Sequence, residues 1–168
     1  MEPALIADER TQLEGFLDAA RAEIVAGLEG LTEEQARRRL VPSLTTPIGL
    51  VKHATFVEQV WFHVAMAGRS RAELGLPDQI DDSFAFDDTD TVDGVIAEYR
   101  RVCDEAREIA AGFALDDLAH HNRRSPLNVR WIYVHMVREL SGHAGHADIL
   151  REQILSADAV GSTDIGGS

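Results

Sequence analysis

Apolar residues recur at helical spacing in this chain, and that periodicity constrains the fold more than any other feature. In residues 8–28 one helix face carries Leu13, Phe16, Leu17, Ala20, Ile24 and Leu28. Segments 46–67, 91–111 and 128–156 have the same helical character. Strand-like alternation is limited to a weak signal at Ser83–Phe86. Four long helices predict an all-α fold, an antiparallel four-helix bundle.

The boundaries of these segments carry residues that start and stop helices. Thr32 and Gln35 form a capping-box pattern, which predicts a short helical turn that ends before Pro42. Thr46 followed by Pro47 predicts the start of the second long helix. Glycines at positions 30, 68 and 112 mark helix ends. The boundaries are therefore predicted by local signals that do not depend on tertiary contacts.

A long acidic connection separates the second and third long helices. Residues 69–90 contain six aspartates and no sustained helical period. Connections of this length are usually functional or cross the end of a bundle, so we expect one long crossover loop. Residues 1–160 are predicted to form a single domain, and the Gly/Ser/Asp-rich residues 161–168 a flexible tail.

The charge balance excludes several classes of partner. The chain has 29 Asp and Glu against 16 Lys and Arg, a net charge of −13. Phosphate backbones and anionic bilayers attract clustered Lys and Arg, so we predict no nucleic-acid partner and no membrane partner. No apolar run has the length of a membrane span and no export signal is evident, so a cytoplasmic location is expected. The single Cys103, in an acidic helical neighbourhood, is expected to be an inert structural thiol.

Three polar side chains interrupt the apolar stripe of the last helix. The stripe consists of Ile132, Met136, Leu150 and Ile154. Glu139, His143 and His146 occupy its intervening positions, where core residues are expected. A buried carboxylate must be paired, protonated or bound to a cation, and Arg130 or Arg138 could supply the pairing. Glu139 and His143 are also one helical turn apart, which suits chelation of one ion.

The second long helix offers a matching histidine. His53 lies in an inward stripe that also contains Leu50, Val57, Val60 and Val64. If two helices present His53, Glu139 and His143 to one interior point, their nitrogen and oxygen donors bind a metal and leave coordination positions open. A hydrogen-bonded core histidine is the alternative for His53. We expect His146 to be a fourth ligand, a donor behind the ligands or a substrate contact.

The remaining histidines and acidic residues of the helices are weaker candidates. His135 is expected to point towards Trp131 and Arg138, and we rank it below His146. Glu58 and Asp148 are expected on helix surfaces or in pairs between helices. Three histidines are expected to face solvent or loops: His63, His120 and His121. Phosphate-binding glycine loops, the nucleophile elbow and the C-x-x-C motif do not occur in the chain.

Three stretches carry a family resemblance: Gly49-Leu50-Val51-Lys52-His53 with Glu58 and Trp61-Phe62, then Arg130-Trp131-Ile132, then Glu139-Leu-Ser-Gly-His143-Ala-Gly-His146-Ala-Asp148-Ile-Leu-Arg151. Over about residues 8–157 the chain resembles the DinB/YfiT-like metalloenzyme superfamily, and most closely its actinobacterial mini-circle-type branch. Many relatives have His-x3-His in the last helix. Glu139 replaces the first histidine here, as in the related mycothiol-dependent maleylpyruvate isomerase, and His146 stands where many relatives have Gln.

The resemblance implies both a site and an activity. It implies a divalent metal (Zn, Ni or Fe) bound by His53, Glu139 and His143, with His146 as a catalytic general base or an orienting group. It also implies a thiol-dependent S-transferase or isomerase that uses mycothiol or a similar low-molecular-weight thiol and a small-molecule electrophile, in a homodimer. Two alternatives stay open: a metal-dependent hydrolase, and a non-catalytic metal- or ligand-binding stress protein.

Overall fold

A computed structural model describes residues 5–163, and helices dominate it. The α-helices are α1 (Glu9–Leu28), α2 (Glu33–Arg37), α3 (Pro47–Glu58), α4 (Val92–Ala111) and α5 (Val129–Thr163). A two-stranded antiparallel ribbon, β1 (Leu118–Ala119) with β2 (Leu127–Asn128), is the only sheet within residues 5–163. The predicted all-α bundle is therefore confirmed.

The helix starts follow the local signals in the sequence. The Thr32 side chain accepts a hydrogen bond from the Gln35 amide, and the Gln35 side chain accepts one from the Thr32 amide, which completes the predicted capping box. Thr46 and Thr91 cap α3 and α4 through their hydroxyl groups, which accept hydrogen bonds from the Gly49 and Gly94 amides. Gly112 follows the last residue of α4. Each cap supplies an acceptor for an amide that has no partner in the first helical turn.

The third helix continues beyond Glu58 as a π-helix over Gln59–Met66. Amides in such a segment bond to the carbonyl five residues earlier, as the Ala67 amide does to the Phe62 oxygen at 3.0 Å. Because this wider turn changes the direction of successive side chains, the α-helical stripe cannot be extended through it. Segments of this kind occur frequently at functional sites. The π-helix was not predicted from the sequence.

The helix formed by α3 and its π-helical continuation lies at the centre of the bundle. Helices α1, α4 and α5 all contact α3, and α4 also contacts the π-helix. The expectation that His63 faces solvent is therefore wrong: its side chain is buried, 3.8 Å from a Glu105 carboxylate oxygen on α4. A central helix has no solvent face, so polarity alone does not predict the orientation of His63.

Helices α1 and α5 pack against each other at very short range. A β-carbon added at Gly27 would lie only 2.5 Å from the Ala147 β-carbon, so the two backbones approach as closely as a glycine allows. The core that these helices share with α3 and α4 includes fully buried Ile24, Phe62, Tyr99 and Met136. The two helices that supply most of the polar candidates, α3 and α5, are thus held in a rigid frame.

One ion pair crosses the interior between α1 and α3. The Arg21 guanidinium donates two hydrogen bonds to the Glu58 carboxylate, each 2.7 Å long, and the Glu58 side chain has no solvent exposure. The expectation that Glu58 pairs between helices is confirmed. The pair joins α1 to the residue at which α3 becomes a π-helix.

The long connection before α4 has a short helical turn where the sequence hints at a strand. Asp81–Phe84 forms a 3-10 helix, so the strand signal at Ser83–Phe86 is wrong. The Ser83 and Ala85 amides bond to the Ile80 and Asp82 carbonyls, because short polar side chains favour turns over an extended backbone. This turn packs against α3.

The last helix is longer than predicted. It continues to Thr163, beyond the expected end near residue 156. The rest of the predicted flexible tail, residues 164–168, lies outside the described part of the chain. Over the described residues, no helix combines the length and the apolar character needed to cross a bilayer.

Candidate metal centre

Two helices bring three predicted ligands together. His53 comes from α3, and Glu139 and His143 come from successive turns of α5; one ligand atom of each lies within 4.8 Å of the others. The Glu139 Oε1 atom is 3.3 Å from His143 Nε2 and 3.9 Å from His53 Nε2. We call these three residues the triad. The carboxylate is placed between the two imidazoles, as expected if all three face one ion.

The triad lies at the edge of the core. His53 is buried, whereas the side chains of Glu139 and His143 keep 28% and 19% of their exposure. The four apolar residues of the predicted stripe are buried, as expected. Between Met136 and Leu150, however, the buried positions are Leu140, Ala144 and Ala147, each one residue later than predicted. The expectation that His146 points into the core is therefore wrong: its side chain is exposed.

A hydrogen-bond chain fixes the orientation of His53. The Ser83 hydroxyl donates to the Ile80 carbonyl, so its oxygen is left to accept a hydrogen bond from His53 Nδ1, 2.7 Å away. That assigns the ring proton to Nδ1 and leaves the Nε2 lone pair directed towards Glu139. Metal-binding histidines characteristically have such a partner on the other ring nitrogen. His143 has none among the described residues, since its Nδ1 is buried without a partner.

An aromatic ring from the same turn covers His53. The Phe84 ring stacks on the imidazole, with centroids 4.1 Å apart and planes 8° apart. The turn reaches this position because α3 has a glycine opposite it: a β-carbon at Gly49 would lie 2.8 Å from the Phe84 carbonyl oxygen. Sequence reasoning missed both Ser83 and Phe84. The only sequence feature that could have indicated their contact with His53 is an isolated Ser-Phe pair within the acidic connection.

The protonation states of Glu139 and His53 suit a cation. The hydrogen bond between His143 Nε2 and Glu139 is the largest cause that holds the pKa of Glu139 far below its ordinary value, so the carboxylate is ionised at neutral pH. Burial lowers the pKa of His53, which keeps this imidazole neutral. No arginine pairs with Glu139 in residues 5–163; Arg130 instead pairs with Glu9 and Asp116. An ionised carboxylate and a neutral imidazole that face one point fit a divalent ion.

A cavity of about 370 Å³ opens beside the triad, and His53 and Glu139 form part of its wall. Apolar side chains of α3 and the π-helix line one side, among them Val57, Val60 and Trp61. This volume is in the range of small-molecule sites. The π-helix therefore contributes directly to the space in front of the candidate ligands.

The other histidines occupy different places around this cavity. His135 lines it and stacks on Trp131, with centroids 4.8 Å apart, so its predicted direction is confirmed. His146 does not line it; its ring centroid is 5.9 Å from that of His143 on the exposed side of α5. His120 and His121 are exposed, as expected, and His121 lines the cavity.

The only thiol of the chain lies apart from the cavity. Cys103 on α4 is buried, and burial together with the nearby Glu58 carboxylate raises its pKa to about 12. The thiol is therefore protonated at neutral pH and a poor nucleophile. This agrees with the expectation of a structural cysteine.

The comparison with known families concerns nearly the whole fold. A family model described as "MST: Mycothiol-S-transferase" matches residues 12–156. The matched range includes all three triad residues and the elements that line the cavity. No curated protein matches the chain. The resemblance inferred from the sequence motifs is thereby confirmed at the level of the family.

Proposed function

The chain belongs to the mycothiol-S-transferase family, and on that premise we propose that it is a divalent-metal-dependent transferase joining a mycothiol-type thiol to a small electrophile. The observation that carries this proposal is the convergence of His53, Glu139 and His143 beside a cavity of small-molecule size. Three protein ligands leave coordination positions open. Two nitrogens and a carboxylate oxygen suit Zn, Ni or Fe(II).

The chemistry of the chain itself supports an external thiol. Its one cysteine is buried with a raised pKa, so the sulfur that reacts must arrive with the cosubstrate. A divalent ion held by the triad supplies Lewis acidity, which lowers the pKa of a bound thiol or water. The chain holds the His53 ring through Ser83 and Phe84, and apolar side chains such as Trp61 line the adjoining cavity.

A proton leaves the thiol when it becomes a nucleophile, and we propose His146 as its acceptor or as an orienting group. Its ring centroid lies 5.9 Å from that of His143, and its side chain is exposed. Replacing His146 by Gln should lower kcat about a hundredfold and leave metal content unchanged. His135→Gln, on the cavity wall, is the comparison variant. An unchanged kcat in His146→Gln would remove this residue from the mechanism.

Metal content tests the site without reference to activity. We expect the purified wild type to retain close to one divalent ion per chain by elemental mass spectrometry. His53→Ala, Glu139→Ala and His143→Ala should each lose it, because two remaining ligands bind far more weakly. His120→Ala removes an exposed histidine outside the triad and is the matched control. Equal metal content in the triad variants and the wild type would refute the ligand assignment.

Turnover assays separate transfer from the two alternatives. We expect mycothiol consumption with small electrophiles in metal-loaded protein and none in Glu139→Ala. Hydrolysis of esters or amides without added thiol would instead favour a metal-dependent hydrolase. Metal retention without turnover across both panels would favour a binding protein.

We also propose that the protein acts as a homodimer in the cytoplasm. The homodimer follows from the family resemblance, and the location from the need of a free thiol cosubstrate for a reducing compartment. Sedimentation of the metal-loaded protein at micromolar concentration tests the homodimer, and a monomer would refute it. Fractionation of the source cells tests the cytoplasmic location.

A further inference from the structure

The cavity wall next to the triad is rich in arginine, although the net charge of the chain is −13. The arginines that line the cavity are Arg71, Arg123, Arg124 and Arg138. None of the four forms an ion pair with a carboxylate within residues 5–163, whereas most other arginines do, such as Arg21 with Glu58. The two further exceptions, Arg39 and Arg151, lie away from the cavity and bond to backbone carbonyls. Unpaired cations are thus concentrated at this one place.

The Arg71 side chain is held by a hydrogen bond and by an aromatic ring. Its Nη2 donates to the Pro77 carbonyl, and its guanidinium carbon is 5.2 Å from the centre of the Phe56 ring. Its Nε atom is buried and has no acceptor in the described structure. The Phe56 ring lies 6.1 Å from the His53 ring, and Arg71 lines the same cavity as His53 and Glu139. A buried donor without a partner is unfavourable and is satisfied when a ligand oxygen arrives.

Arg124 is positioned by an aromatic shelf. Its guanidinium carbon lies 5.8 Å and 5.7 Å from the Trp61 and Trp131 ring centres, in cation–π geometry. Residues 120–126 connect β1 to β2, and the His121 amide ties this loop to the Ala65 carbonyl of the π-helix. Stacking on the rings leaves the N–H groups at the rim of the guanidinium free to bind oxygen atoms.

The acidic residues of the cavity do not neutralise this wall. Besides Glu139, whose carboxylate faces two histidines, the lining contains Asp78. Asp78 is exposed and forms no ion pair with the four arginines. The wall therefore presents positive charge above apolar side chains, which is the pattern expected for a ligand with an apolar body and an anionic group.

We infer that the electrophile carries a carboxylate, which Arg71 and Arg124 bind while its apolar body contacts Val60 and Trp61. This inference rests on the proposed function and names its substrate class. A planar carboxylate matches the guanidinium fork, which can donate two parallel hydrogen bonds. The carboxylate anchors the electrophile with its reactive carbon turned towards the triad side of the cavity.

The test uses a matched pair of aromatic electrophiles that differ in charge: 4-chloro-3-nitrobenzoate and its neutral amide. In each, the mycothiol sulfur forms a bond to the carbon that bears chlorine. The carbon–chlorine bond breaks, and chloride leaves with the electron pair. The thiol proton ends in solvent, by way of His146 where that residue is the acceptor, and no oxidant or reductant is needed. Chloride release and the absorbance of the thioether both report the reaction.

The amide is the more electron-withdrawing group and reacts faster without enzyme, so each kcat/KM is divided by the rate constant of the uncatalysed reaction with the thiolate. We expect metal-loaded wild type to favour the carboxylate over the amide by about tenfold or more in this ratio. The preference should fall to within about threefold in Arg71→Gln and in Arg124→Gln. Arg124 is exposed, so its variant tests the inference even if Arg71→Gln folds poorly. Arg151 lies outside the cavity and also lacks a carboxylate partner. Arg151→Gln is therefore the matched control and should keep the full preference.

A binding measurement separates this inference from the proposed function. Calorimetric titration of the purified protein with unreactive 4-chlorobenzoate and 4-chlorobenzamide should show the same preference and its loss in the two variants. Conjugation of both electrophiles with equal rate enhancement over the uncatalysed reaction, and with equal binding, would overturn the inference and leave S-transfer standing. A binding preference without any conjugation would support the anion site and overturn the transferase. Equal binding without conjugation would overturn both.

Discussion

The serine behind His53 permits a quantitative test of how the candidate centre is organised. Ser83→Ala removes the hydroxyl that accepts a hydrogen bond from His53 Nδ1 at 2.7 Å. The Nδ1 atom is then left buried without a hydrogen-bond partner, and nothing holds the ring proton on it. The Phe84 stack remains, so the variant changes the hydrogen bond and not the packing of the ring.

Two separate losses are expected. Leaving a buried donor unsatisfied costs about 1–3 kcal/mol of unfolding free energy. In a chain of this size, each kcal/mol lowers Tm by about 2–4 °C. Removing the hydrogen-bond partner of a ligating histidine typically lowers metal affinity about 10–100-fold. Ser83→Thr keeps a hydroxyl and should restore most of both losses.

Both quantities can be measured on one preparation. Urea unfolding of metal-free protein gives the stability, and competition with a chromophoric chelator gives the metal affinity. Ser141→Ala removes an exposed hydroxyl from α5 and is the control. A metal affinity within twofold of the wild type in Ser83→Ala would refute the assignment of the Nδ1 proton. An unchanged unfolding free energy in metal-free protein would refute the buried hydrogen bond itself.

Three further predictions test the frame around the site. Gly49→Ala should lower the unfolding free energy by about 1–3 kcal/mol and weaken metal binding, because the new methyl displaces the Phe84 carbonyl 2.8 Å away; wild-type stability would contradict the close approach. Glu58→Gln should cost up to about 3–5 kcal/mol in urea unfolding, because the buried Arg21 loses its fully buried partner and keeps only the half-exposed Asp18. A loss below about 1 kcal/mol, typical of surface pairs, would contradict this. Burial lowers the pKa of His63 from 6.5, so the stability linked to this residue is complete above pH 6.5 and declines as pH falls below that value. His63→Phe should reduce the slope of the unfolding free energy against pH between pH 7 and 5, and an unchanged slope would refute the linkage.

Sequence patterns predicted the features that depend on neighbouring residues. The Thr32–Gln35 capping box and the start of α3 at Thr46 are local hydrogen-bond patterns, and both occur as predicted. Glu139 and His143 were recognisable because polar residues at apolar positions of a helix need a partner. Their convergence followed from assuming that the polar interruptions of two helices meet.

Features that depend on tertiary contacts were not predictable in the same way. The π-helix after Glu58 changes the direction of every side chain beyond it, and no residue in the sequence predicts its presence. Ser83 reaches His53 across 30 residues of chain, through a turn whose position is set by packing on α3. His146 was misplaced because a single-position shift along α5 moves a residue from the core face to solvent.

The location of the triad on two different helices gives a bound ion a mechanical role. His53 and Glu139 are separated by about half of the chain in sequence, so an ion between them would act as a reversible cross-link that closes a long loop. At a free metal concentration 100 times the dissociation constant, this linkage adds about 2.7 kcal/mol to the stability of the native state. The supply of free metal would then govern how well the protein resists proteolysis as well as whether the triad is occupied. Under metal limitation the protein would be degraded sooner.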